Sequence, residues 1–185
     1  MRLIEMEIAR QGWKDMLCGC GHSAEHLAGD LLRLAGRGPE QRSIHVSLEG
    51  HVWSSAVLWE PAPAVTSVAL AALADEAAPL ARSRFLDLLQ FIFAGEGTDW
   101  GPARKGFDLP ERCRALGAQG LWLLYEEVMA NRSPGAAGTA FEILTVIEPD
   151  RARLQRVRQI AAAWLPECCR TGRYDDDFEG SEQSC

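Results

Sequence analysis

The sequence predicts an all-α domain of short helices that pack as antiparallel neighbours. Apolar residues recur at spacings of three and four along most of the chain, which is the pattern of amphipathic helices. The last three of these segments are separated by only a few residues, and short links place consecutive helices side by side. The 185 residues are 47% hydrophobic and 24% charged, a composition that suits one domain with a buried core.

Three helices are predicted in the first half of the chain. The first begins after Ser23, a natural N-cap, and ends at Gly36. The second covers 62–74, and the third begins at Pro79 and ends at Gly95. Their apolar stripes consist of Leu27, Leu31, Leu34 and Ala35, then Val65, Val68, Ala69, Ala72 and Leu73, then Phe85, Leu88, Leu89, Ile92 and Phe93.

Three more helices are predicted in the second half. The first ends at Asn131, the next has Ser133 as its cap and Pro134 in its first turn, and the last lies between Asp150 and Pro166. Their stripes consist of Leu121, Leu124, Tyr125 and Val128, then Ala137, Phe141, Leu144 and Ile147, then Leu154, Val157, Ala161 and Trp164.

The segment 43–57 supports two interpretations. Alternate residues from Ile44 to Leu48 are apolar ahead of Gly50, which is typical of a hairpin. Ile44, Leu48 and Val52 also recur every four residues, as on one face of a helix. The helical neighbours favour the helix, and the hairpin remains the alternative.

Charge is concentrated at the C-terminal end. The formal charge is −7, and residues 174–185 hold five acids and no basic residue, so removing those five leaves −2 for residues 1–173. An acidic tail disfavours nucleic acid and anionic membrane as partners and attracts basic ones. We therefore expect one domain over 1–173, followed by a disordered acidic tail.

The composition also predicts a cytoplasmic protein. No run approaches the ~20 apolar residues of a membrane-spanning helix. Glu5 and Glu7 stand where a signal peptide has a basic and then an apolar stretch. In that compartment the six cysteines are expected to be reduced thiols.

The longest internal connection, 95–109, joins helical halves 1–94 and 110–173. Long loops on rigid scaffolds frequently carry function, and tryptophan is enriched at binding hot spots. We therefore predict Asp99, Trp100 and Asp108 as partner contacts. The remaining tryptophans have apolar neighbours at helical spacings and are predicted to fill the core: Trp13, Trp53, Trp59, Trp122 and Trp164.

One cluster has the residue types of a metal site. Cys18, Cys20, His22 and His26 form a C-x-C-x-H-x3-H pattern, and thiolates with imidazoles are natural zinc ligands. Four ligands within so short a stretch would strain a tetrahedral site. We therefore expect buried thiols and surface histidines here, with no metal ligand and no cofactor.

No catalytic signature is present in the sequence. The glycines from Gly95 to Gly101 follow a helix and have the wrong spacing for a dinucleotide loop. Neither a Walker loop, a Gly-x-Ser-x-Gly motif nor a His-Glu-x-x-His motif occurs. No residue is therefore assigned a catalytic role.

Four segments, in order, resemble the HEAT-like repeat proteins of high-GC bacteria. They are Gln11–Leu17, Cys20–His26, Gly50–Ala56 and Leu80–Leu89. They are similar to that family's Trp-led first helix, aromatic-Gly-x-Ala turn, Gly-Thr-Val-aromatic-x-Ala segment and Leu-rich helix. The resemblance covers roughly residues 11–165.

This resemblance implies a short α-solenoid of about three stacked antiparallel HEAT-like helix pairs after a lead-in helix. Some relatives look like immunity proteins against polymorphic toxins. We therefore predict a non-catalytic protein-binding module, with neutralisation of a basic toxin domain as the specific hypothesis. The alternatives are an enzyme on a HEAT scaffold (DNA glycosylase-like, using Asp99 and Trp100, or lyase-like) and a small metal-stabilised module.

Overall fold

Helices dominate the computed structural model, which describes residues 2–36, 48–75, 78–95 and 108–172. A 3-10 turn (Trp13–Asp15) and two short strands, β1 (Trp53–Ser54) and β2 (Val57–Leu58), accompany them. The helices are α1 (Leu3–Arg10), α2 (Glu25–Ala35), α3 (Ala62–Ala74), α4 (Pro79–Phe93), α5 (Leu109–Gln119), α6 (Leu121–Ala130), α7 (Pro134–Ile147), α8 (Arg151–Ala161) and α9 (Glu167–Thr171). The all-α prediction is confirmed. No helix in these ranges is both long enough and apolar enough to cross a bilayer.

Most predicted helix ends have a local cause. The side chains of Ser133 and Asp150 accept hydrogen bonds from the backbone N–H groups of Ala136 and Arg153, as N-caps do. Asn131 ends α6 in the left-handed conformation, with φ of 46°. The cap predicted at Ser23 is wrong, because Ala24 precedes α2 and Ser23 instead forms a β-bridge with Leu17.

The first compact unit, Met1–Gln119, is organised around α3. This helix packs against α1, α4 and α5, while α4 also contacts α2. Because α3 has neighbours on several sides, apolar residues lie around most of its circumference. Its buried residues are Ala62, Pro63, Ala64, Val65, Thr66, Val68, Ala69, Leu70, Ala72 and Leu73.

The second compact unit, Gly120–Cys185, is built on the pair α6 and α7. α8 packs against α6, and α9 packs against both α7 and α8. The consecutive pairs α6–α7 and α8–α9 pack side by side as the short connections predict, whereas α8 packs on α6 rather than on its chain neighbour α7. The core includes the fully buried Leu124, Val128, Phe141, Leu144 and Ala161.

The boundary between the units differs from the division expected from the sequence. That division was the connection 95–109, whereas the compact units separate between Gln119 and Gly120. α5 belongs to the first unit because it packs on α3 and α4. Residues 96–107 and the acidic tail 174–185 lie outside the described residues. The stacking of helix pairs into a solenoid stays a prediction.

The helix favoured for 43–57 is wrong over its described part, which begins at Leu48. Gly50 has a φ of 79°, a conformation that suits glycine and interrupts a helix. β1 and β2 then pair antiparallel, so a hairpin does form, but it turns at Ser55 and Ala56 rather than at Gly50. Residues 43–47 lie outside the described residues.

Candidate functional site

The partner contacts predicted in 95–109 are described only in part. Asp99 and Trp100 lie outside the described residues. Asp108 is exposed, and its Oδ1 accepts a hydrogen bond from the Glu111 N–H at 2.9 Å. This bond is of the kind that an N-cap side chain makes at the start of a helix. Asp108 therefore has a structural task at α5, and its role as a partner contact stays a prediction.

The tryptophans predicted to lie in the core differ in burial: one is buried, three are half-buried and one is exposed. Trp13 is buried, and its Nε1 donates to the Ile8 carbonyl at 2.8 Å. Trp53, Trp59 and Trp164 are half-buried. For Trp122 the prediction is wrong, because 70% of this residue is exposed. Position 122 lies about 200° around α6 from the buried Leu124 and therefore points away from the core.

Trp122 belongs to an exposed face of α6. Met129 is 42% exposed and, with Glu126, shares this face because residues four and seven positions apart lie on one side of a helix. The Tyr125 ring is tilted against the Trp122 ring with centroids 5.6 Å apart. The Arg153 guanidinium lies 5.4 Å from the Trp122 centroid, within cation–π range. The indole is therefore held in place although it faces solvent.

A buried carboxylate holds Arg153 beside this ring. The Glu148 side chain is 0% exposed, and it accepts hydrogen bonds from the Tyr125 hydroxyl and from the Asp150 N–H, the latter at 2.8 Å. Arg153 Nε lies 3.2 Å from Glu148 Oε2. Burial and the hydrogen bond to Glu148 both raise the pKa of Tyr125 above its ordinary value. The Trp122 face is thus backed by a network of charged and polar partners.

A second cluster lies in the first unit and consists of two thiols and two imidazoles. The ligand atoms of Cys18, Cys20, His26 and His51 all lie within 4.8 Å of one another. Cys18 Sγ is 3.2 Å from His51 Nδ1 and 3.7 Å from His26 Nε2. The two imidazole nitrogens are 3.1 Å apart. Four potential metal ligands from two separate chain segments therefore converge on one point.

Backbone bonds bring these two segments together. Leu17 and Ser23 form an antiparallel bridge that closes a tight loop, in which Gly21 adopts a φ of 83°. The Gly19 N–H donates to the His51 carbonyl at 3.0 Å. A Cβ at Gly19 would overlap the Gly50 carbonyl oxygen and stand 2.7 Å from Trp59 Nε1. Glycine is therefore required at position 19 for this approach.

The electrostatics of the cluster centre on Cys18, whose side chain is buried. Burial raises the pKa of the Cys18 thiol to about 11, and the neighbouring Cys20 thiol also raises it. The backbone of Cys20 and Gly19 acts in the opposite direction and lowers the pKa of this thiol. His26 Nδ1 lies 3.2 Å from the Ser23 carbonyl, which can only accept. That contact places the hydrogen on Nδ1 and leaves the Nε2 lone pair directed at the cluster.

The cluster differs by one residue from the four-residue pattern in the sequence. His22 is exposed and is not among the converging ligands; His51 takes the fourth place. Sequence reasoning missed His51 because it lies 25 residues beyond His26. The only signal available was its position directly after Gly50, whose turn carries the imidazole toward Cys18.

A third group, in the second unit, is less suited to holding a metal. Glu142, Cys168 and Cys169 also place their ligand atoms within 4.8 Å of one another. However, Cys168 is in a disulfide, contrary to the expectation of reduced cysteines, and its sulfur does not supply a thiolate. Burial and the nearby Glu142 raise the pKa of Cys169 to about 12. Cys18 and Cys20, by contrast, are free thiols.

Comparison with protein-family models, with curated proteins and with solved structures finds no match for this chain. The HEAT-like resemblance therefore stays a prediction, and the function is inferred from the geometry of the sites.

Proposed function

We propose that the chain is a non-catalytic protein-binding module that contacts its partner through the exposed face of α6. The observation that carries this proposal is Trp122, which is 70% exposed yet held by Tyr125 and Arg153. A tryptophan restrained before binding loses little conformational freedom on binding, so more of its contact energy contributes to affinity. Tryptophan and arginine are the residues most enriched at hot spots.

The neighbours of Trp122 support the same interpretation. Met129 extends the apolar surface along α6, and methionine is enriched at interfaces because its flexible thioether adapts to a partner. Between them, Glu126 forms an ion pair with Arg132 at 2.5 Å. The face therefore combines apolar side chains that contribute affinity with charged side chains that contribute specificity for the partner.

The specific partner that we propose is a basic toxin domain, which the chain would neutralise by covering its active surface. The formal charge of −7 supports a basic partner, because opposite charge accelerates encounter and like charge disfavours acidic competitors. Asp99, Trp100 and Asp108 belong to the other unit and remain separate predicted partner contacts. The enzyme alternative has no described residue in its support, because Asp99 and Trp100 lie outside the described residues.

The test compares Trp122→Ala with a matched control, Leu80→Ala, which truncates a 52% exposed apolar residue of α4 in the other unit. Loss of a hot-spot side chain costs 2 kcal/mol or more, so we expect Trp122→Ala to weaken the partner complex by about 30-fold. Leu80→Ala should bind like the unchanged protein. Affinity is measured by calorimetry with the partner that co-purifies from the native lysate.

A functional readout separates neutralisation from mere association. Co-expression of the unchanged chain with the basic partner domain should protect a sensitive host, whereas Trp122→Ala should protect it poorly. Equal affinity of Trp122→Ala and Leu80→Ala would exclude the α6 face as the binding surface. An acidic partner, or one without toxicity, would exclude the immunity hypothesis.

A further inference from the structure

We propose that Cys18, Cys20, His26 and His51 bind one Zn²⁺ ion and that this ion joins the loop 17–23 to the turn 48–53. This proposal concerns the first unit and does not depend on the protein-binding role of α6. The donor set is two thiols and two imidazoles, the combination found in structural zinc sites. With both thiols ionised, their two negative charges balance the charge of Zn²⁺, so the partly buried centre is electrically neutral.

The observed separations resemble the edges of a zinc tetrahedron. With Zn–S of about 2.3 Å and Zn–N of about 2.0–2.1 Å, tetrahedral angles give N···S edges of about 3.5 Å and N···N edges of about 3.3 Å. The separations from Cys18 Sγ are 3.2 and 3.7 Å, and the two nitrogens are 3.1 Å apart. Cys20 is exposed and within 4.8 Å, so a rotation of its side chain can complete the set.

Secondary contacts also fit a zinc site. Histidines that ligate metals commonly donate their second nitrogen to a carbonyl or carboxylate, which fixes the ring and its tautomer. His26 has this arrangement, with Nδ1 against the Ser23 carbonyl and Nε2 toward the cluster. These contacts are in place independently of the ion.

A catalytic cysteine–histidine pair is a weaker explanation of the same residues. Cys18 and His51 are close enough for proton transfer, but Cys18 is 0% exposed, so its sulfur cannot reach a substrate. A nucleophile must also be accessible at its reacting atom. Four protein ligands leave no open position on the ion, which is typical of a structural site. The exposed Cys20 and His26 leave a path by which the ion can enter.

The experiment uses the untagged full-length chain, reduced and purified without chelators. We expect one zinc per chain by elemental mass spectrometry. Reconstitution with Co²⁺ should give the visible bands of a tetrahedral site and a thiolate-to-cobalt charge-transfer band. Chelation should lower Tm by at least about 8 °C. A ligand present at a thousand times its Kd stabilises the folded state enough to raise the Tm of a chain of this size by at least that amount.

Ligand variants and a matched control identify the site. Cys20→Ser and His51→Ala should each bind Zn²⁺ at least about 100-fold more weakly, since loss of a supporting contact alone costs 10–100-fold. His22→Ala changes a histidine of the same loop that does not converge, and it should bind normally. Cys20 is chosen because its exposure lets the variant fold, which circular dichroism checks. Trp122→Ala should also keep its zinc.

Three outcomes would overturn the proposal. The first is wild-type protein that takes up no zinc in competition with a weak chelator. The second is equal zinc affinity in Cys20→Ser and His22→Ala, both folded. The third is a cobalt spectrum without the charge-transfer band, because that result would place the ion away from the cysteines.

Discussion

The Glu148 network of the second unit and the Cys18 cluster of the first unit bury ionisable groups in opposite ways. Glu148 is buried with a cation from its own chain, Arg153, and with the Tyr125 hydroxyl. Glu127, also buried, pairs with Arg132 at 2.9 Å. Around Cys18 the converging groups are a second thiol and two imidazoles. The difference indicates where each of these two clusters obtains its positive charge, from arginine around Glu148 and, we propose, from zinc around Cys18.

The largest effect should come from removing the charge of Glu148. The Glu148 carboxylate is fully buried, and its loss leaves the partly buried Arg153 guanidinium and the Tyr125 hydroxyl without their charged partner, so Glu148→Gln should lower the free energy of unfolding by about 3 kcal/mol. The matched control is Glu126→Gln, which removes an exposed pair with Arg132 and should cost less than about 1 kcal/mol. Urea unfolding measures both. Equal losses would show that burial does not distinguish the two acids.

The next effect concerns the close approach that forms the Cys18 cluster. Gly19→Ala places a Cβ against the Gly50 carbonyl and 2.7 Å from Trp59 Nε1, so we expect a loss of about 2 kcal/mol and weaker zinc binding. Gly135→Ala is the matched control, because nothing lies within 4 Å of its added Cβ in the second unit. This control should be neutral or slightly stabilising. Thermal unfolding measures Tm and a titration measures zinc affinity. Equal Tm values and equal zinc affinities in the two variants would contradict the prediction.

The smallest effect is a pH dependence centred on Tyr125. Burial, and then the hydrogen bond to Glu148, raise its pKa in the folded state. The unfolded chain loses the phenolic proton first, so stability from this group is complete below pH ~10 and declines as pH rises above it. Tyr125→Phe should cost about 1 kcal/mol at neutral pH, through the lost hydrogen bond.

The decisive measurement is stability against pH for both proteins between about pH 9 and pH 11. The unchanged protein should lose stability more steeply than Tyr125→Phe over this range. Parallel curves would mean that Tyr125 titrates normally in the folded state, and the interpretation of the network would then be wrong.

Local rules predicted much of the helical framework. The stripe Leu27, Leu31, Leu34 and Ala35 is buried on α2 as predicted, and the caps at Ser133 and Asp150 are formed. These features depend on neighbours within a few residues, which a sequence displays directly. The segment from Leu48 to Val57 was harder, because its period fits both helix and strand, and the positive φ of Gly50 decided the outcome.

The candidate sites were predicted less well because they depend on residues distant in sequence. Trp122 has the apolar neighbours of a core residue, and only the packing of α6 on α7 placed it outside. His51 joins the cysteines through the Gly19 contact, which no spacing in the sequence reveals. The sequence predicts Asp108 as a contact residue, whereas in the structure its carboxylate accepts a hydrogen bond from the Glu111 N–H in the first turn of α5.

The helical class, most helix ends and the excess of acidic charge can be read from the chain, because periodicity, capping chemistry and formal charge are properties of neighbouring residues or of composition. Three features depend on the folded arrangement: α5 packs with α3 and α4, Trp122 faces solvent, and His51 rather than His22 lies beside Cys18 and Cys20. Close packing and metal-ligand geometry act over a few ångströms in space, and the number of residues between two positions does not fix that distance.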